Sequence, residues 1–62
     1  MKFDVNKYYR VEKYESNGTI AKEVKTGFEC NIITSHCEYD EASELYINHN
    51  TDCAYDITEY HK

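Results

Sequence analysis

Thr19 to Ile33 reads TIAKEVKTGFECNII, and the fold turns on how this stretch is taken. Ile20, Val24, Phe28 and Ile32 fall on alternate positions together with Thr26 and Cys30, while Ala21, Glu23, Lys25 and Glu29 point the other way. That is the period-two pattern of a half-buried β-strand. The same four apolar residues also lie four apart, as on a helix, but the β-branched content and the central Gly27 weigh towards strand. The expectation is one long strand with a bulge or sharp bend at Gly27, since glycine weakens a strand interior unless the chain turns there.

Upstream, KFDVNKYYRVEKYE (2–15) places Phe3, Val5, Tyr9 and Val11 on one alternating face and Tyr8, Arg10, Glu12 and Tyr14 on the other, with an interruption near Asn6. Ser16-Asn17-Gly18 follows, and Asn-Gly between two alternating runs is a strong hairpin signal because both residues tolerate φ > 0. A two-residue loop sets Val11 opposite Val24 but also Arg10 opposite Lys25 and Glu12 opposite Glu23, which are unfavourable pairs. A four-residue loop, Glu15 to Gly18, sets Tyr9 opposite Val24 and Arg10 opposite Glu23, and is preferred.

Downstream, Ser35-His36-Cys37-Glu38 fits a capping box, and Tyr39, Ala42, Leu45 and Tyr46 recur at helical spacing, so a short helix near 35–46 weighs evenly with a loop. Leu45 and Ile47 alternate as a strand, 48–52 is a polar turn, and Tyr55, Ile57 and Glu59 alternate in a last strand. The fold class expected is mainly β, a small antiparallel sheet or curled meander of about four to five strands, with α+β as the alternative.

A chain of 62 residues makes one domain, 1–62, because so short a chain buries only about 60% of its unfolded surface. Phe3, Val5, Val11, Ile20, Val24, Phe28, Ile32, Ile33, Leu45, Ile47 and Ile57 are the aliphatic and Phe core candidates, too few without some of the seven tyrosines. A homodimer that extends the core is expected of such a domain. Cys30, Cys37 and Cys53 are odd in number, and no apolar run is long enough for a signal sequence or a membrane helix, so a cytoplasmic protein with no membrane partner is expected. Lys, Asn, Ile and Tyr supply 23 residues, the signature of AT-rich coding DNA, which suggests a low-GC bacterium or one of its viruses.

Charge is the most informative feature. Residues 1–29 hold six Lys/Arg against five acids, a net of +1, whereas residues 30–62 hold seven acids against Lys62 alone, a net of −6. The function expected is therefore a small acidic protein-binding inhibitor, phage- or mobile-element-encoded, with no enzymatic activity and no direct contact with nucleic acid. Glu38, Asp40, Glu41, Glu44, Asp52, Asp56 and Glu59 would meet the Lys/Arg of a basic nucleic-acid-binding host protein, with Tyr39 and Tyr46 supplying contact area. The alternative is a self-associating structural or accessory subunit whose acidic face only solvates.

No cofactor or metal is expected. The spacing Cys30-x6-Cys37-x15-Cys53 matches no zinc knuckle, although His36 and His49 lie nearby. No glycine-rich turn is present for an oxyanion hole or a phosphate loop.

Overall fold

The structure, a computed structural model, describes residues 3–61. Its elements are β1 (Tyr8–Tyr14), β2 (Ile20–Thr26), α1 (Gly27–Thr34), β3 (Glu38–Asp40), β4 (Leu45–Asn48) and β5 (Cys53–Glu59). The five strands form one antiparallel sheet in the order β2-β1-β5-β4-β3. The chain is thus mainly β, as the sequence predicts, and its first and last strands are neighbours at the centre of the sheet.

The stretch 19–33 is not one strand. It divides at Gly27 into β2 and α1. The cause is a capping box: the Thr26 hydroxyl accepts the Glu29 N–H at 3.2 Å, and the Glu29 carboxylate accepts the Thr26 N–H at 3.2 Å. Together they satisfy two of the donors that a helix start leaves orphaned. The Thr26 backbone N–H, and after it the Thr26 hydroxyl, donate to the Glu29 carboxylate and hold it below its ordinary pKa. Gly27 donates its N–H to the Lys7 carbonyl at 2.9 Å, and a Cβ there would collide with the Asp4 carbonyl. Only glycine lets the N-terminal segment cross so close to the start of α1.

The short helix expected near 35–46 is not formed. Ser35 instead caps the end of α1, its hydroxyl donating to the Ile32 carbonyl at 2.6 Å, and Glu38–Asp40 pairs with Leu45–Ile47 as a hairpin.

Neither expected register for the first hairpin is adopted. Tyr14 pairs with Ile20 and Val11 with Glu23, because the loop has three residues: Gly18, at φ 90°, donates its N–H to the Glu15 carbonyl, and Glu15 donates to the Thr19 carbonyl, each at 2.9 Å. This is a turn closed by a glycine bulge. An odd shift of register exchanges the faces of every residue on one strand, so Val11 and Val24 lie on opposite sides of the sheet. The pairing is favourable for charge, since Glu12 faces Lys22 and Tyr9 faces Lys25.

The other two hairpins share one design. Each has a four-residue loop that opens with a side chain capping backbone N–H groups, Asp40 in one and Asn48 in the other, and closes on an acidic residue at φ 58°, Glu44 and Asp52.

Directly opposed residues share a face, which sorts the sheet. One face carries Tyr9, Val11, Tyr46, Cys53, Tyr55 and Ile57. α1 and the N-terminal segment lie across it. The Asn31 amide clamps the Phe3 backbone with two hydrogen bonds, 2.6 and 2.9 Å. That clamp sets the Phe3 ring edge-on to Tyr9 at 5.0 Å and against Tyr46 at 5.8 Å, with Tyr39 beside Tyr46 at 4.9 Å. Aromatic contacts of this kind stabilise beyond the area they bury. The buried side chains are Val11, Cys30, Tyr46 and Cys53. Of the eleven aliphatic and Phe candidates only Val11 is among them, while Val5, Ile20, Val24, Phe28 and Ile32 are more than half exposed. Tyrosine does take up part of the core, as the composition requires.

Candidate partner-binding face

Among the described residues, no helix or loop lies across the opposite face of the sheet. Continuing the pairings from strand to strand places Lys22, Glu12, Asp56, Leu45 and Asp40 in one row across β2, β1, β5, β4 and β3. Glu12 and Asp56 are direct cross-strand partners. Like charges so placed destabilise a ladder. Tyr14 donates its hydroxyl to the Glu12 carboxylate at 2.7 Å, and that bond raises the Tyr14 pKa. Arg10 stands one row away, its guanidinium 5.6 Å from the centre of the Tyr60 ring.

The seven acidic residues singled out by the sequence divide into three groups. Glu38, Asp40 and Asp56 project from the open face, and Glu41 and Glu44 occupy the β3–β4 turn that continues from Asp40. Asp52 sits in the β4–β5 turn at the other end of these strands. Glu59 lies on the helix-covered face, in register with Tyr9, and pairs with Lys7 at 3.6 Å and His61 at 3.5 Å. Asp40 also serves the turn itself, since the Ser43 hydroxyl donates to it at 2.7 Å, and this bond holds its carboxyl below the ordinary value. Glu38 stays 82% exposed and reaches His49 at 3.8 Å, an exposed pair of little energetic weight.

Tyr39 and Tyr46 point away from the open face. Tyr46 is buried and Tyr39 is 42% exposed, and the two line a cleft of about 260 Å³ with Thr34 and Cys37. Burial raises the Tyr46 phenol pKa and the Cys37 thiol pKa, and Cys37 donates to the Ile33 carbonyl at 3.3 Å. A thiol so held is protonated and a weak nucleophile. All three cysteines are free. Among the described residues, no three His, Cys, Asp or Glu side chains converge as a metal site would require, and no helix is long and apolar enough to cross a membrane.

Glu12 belongs to the open-face row although the charge count by halves hides it. Its signal lies in the alternation of Arg10, Glu12 and Tyr14, which puts Glu12 on the face that β5 completes with Asp56.

Compared with protein-family models, curated proteins and solved structures, the chain matches none.

Proposed function

We propose that the chain is a small protein-binding inhibitor whose open sheet face and β3–β4 turn engage a basic, nucleic-acid-binding host protein. One observation carries the reading. Glu12 and Asp56 stand side by side on an uncovered face, in line with Asp40, and among the described residues the one cation of that row is Lys22, on the far side of Glu12 from Asp56. A like-charged pair kept at some cost to the ladder is repaid when a partner brings Lys or Arg to it. Glu38, Glu41 and Glu44 extend the same negative surface at the β3 edge, where they would steer a cationic partner and slow it from leaving. The inhibitor acts by occlusion: its carboxylates take the positions that phosphates occupy in the cleft of a nuclease, polymerase or defence complex. A phage or mobile-element origin and a place in the bacterial cytoplasm accord with that role.

The test is capture from a bacterial lysate by the tagged protein and by a Glu12→Gln/Asp56→Asn double variant, each washed at low and then high salt. A basic nucleic-acid-binding protein retained by the native chain, released by salt and lost with the double variant is the expected result. Equal retention by both proteins rules the reading out.

A second reading, a self-associating structural or accessory subunit, is favoured by the exposure of Val5, Ile20, Val24, Phe28 and Ile32, each more than half open to solvent. A homodimer that ignores salt and captures nothing else is its signature in light scattering.

A further inference from the structure

The two edges of the sheet differ. β3 is only three residues long and carries a carboxylate at each end, a usual way of blunting an edge against pairing. β2 is seven residues long, with Lys22, Glu23 and Val24 all exposed. In its ladder with β1 the odd residues of β2 face inwards, as the Gly27 N–H to Lys7 carbonyl bond at 2.9 Å fixes. The N–H and C=O groups of Ile20, Lys22, Val24 and Thr26 therefore face outwards. Thr26 is taken by the capping box with Glu29. What remains is three consecutive outward-facing residues, Ile20, Lys22 and Val24.

We propose that this edge pairs with the same edge of a second copy, antiparallel and two-fold about Lys22, so that two sheets join as one. Among two-fold registers that pair at least five residues of β2, this one alone avoids Thr26. It sets Ile20 of each copy opposite Val24 of the other, covering two side chains that are 53% and 51% exposed, on the open face of the sheet. The two Lys22 side chains meet at the axis, and each has Glu12 of its own chain directly across the ladder, which offsets their repulsion. The paired segment, Ile20–Val24, is short beside the roughly 20–30 residues a side of a stable interface, so the dimer is weak and its population rises with concentration. This locates the self-association that the second functional reading requires, and it stands without the inhibitor reading.

Lys22→Pro is the decisive variant. The Lys22 N–H points away from β1, so proline is tolerated by the monomer and removes the central pairing donor. Light scattering from about 10 µM to about 1 mM is expected to show the native mass rising from one chain towards two, with Lys22→Pro staying at one chain and its circular dichroism unchanged. A native chain that stays monomeric at the top of that range, or a Lys22→Pro variant that dimerises equally, overturns the proposal. Single cysteines introduced at Lys22, Glu23 or Val24 in a Cys37→Ser background test the register without relying on proline. Lys22→Cys should cross-link fastest on mild oxidation, and faster cross-linking at either neighbour refutes a two-fold axis at Lys22.

Discussion

The two faces of the sheet are made by the same five strands, yet the buried side chains of the sheet, Val11, Tyr46 and Cys53, all lie on one of them. The other face exposes Ile20 and Val24 and sets Glu12 against Asp56. The difference does not come from aliphatic content, since the β2 residues Ile20 and Val24 sit on the open side. It comes from what is laid across. The covered face is sealed by Phe3, held in place by Asn31, and by α1, whose start is fixed by Gly27 and the Thr26–Glu29 box. A small chain can thus complete one core with aromatic rings and a backbone clamp, leaving its second face uncovered.

The most severe way to break this asymmetry is Gly27→Ala. The added methyl meets backbone, which cannot rotate away, so the N-terminal segment must leave α1. A loss of about 3 kcal/mol or more is expected, a large part of the stability of any small domain, and urea unfolding followed by circular dichroism measures it. A smaller loss, about 1–2 kcal/mol, is expected for Asn31→Ala, which removes both bonds to the Phe3 backbone and leaves those groups to water. The same titration reads it, and faster hydrogen exchange at the Phe3 amide marks the released segment. Asp56→Lys sharpens the comparison from the other side. It turns the Glu12–Asp56 repulsion into attraction, so the stability read from the same urea titration should rise, by less than about 1 kcal/mol, while capture of a basic partner weakens. A variant that is both less stable and still competent in capture contradicts the part assigned to this pair.

Much of the architecture is legible in the sequence. Asn17-Gly18 marks the first hairpin, 48–52 marks the last, and the alternation of Tyr8 to Tyr14 sorts β1 into its two faces. Two features are not, and for separate reasons. The apolar spacing of four from Ile20 to Ile32 satisfies both strand and helix, and the deciding signal is the Thr26-x-x-Glu29 box, which has the same form as Ser35-x-x-Glu38. Only the first of these stands at a helix start. Which one does so depends on the passage of the Asp4 backbone over Gly27, a contact between segments far apart in sequence. The hairpin register likewise depends on where Gly18 takes its positive φ, and one residue of difference moves Val24 from the core to the surface.

The candidate surface is legible in part for a related reason. Asp56, Asp40 and Glu38 share a face because β5, β4 and β3 form a simple meander of local hairpins. Glu12 joins them through the β1–β5 ladder, which pairs residues forty or more positions apart, beyond the reach of any local pattern. Glu59 falls on the other face because it is odd-numbered on the same strand as Asp56.

That ladder has a further consequence. It joins two parts of the chain, β1–β2–α1 and β3–β4–β5, whose own strand pairings are all local, and among the described residues it is the sole strand ladder between them. A polypeptide cut between α1 and β3 therefore retains every hairpin within one piece or the other. The carboxylate row is therefore shared between the two pieces, Glu12 from one and Asp56 and Asp40 from the other, and it is brought together through residues 9–14 and 54–59.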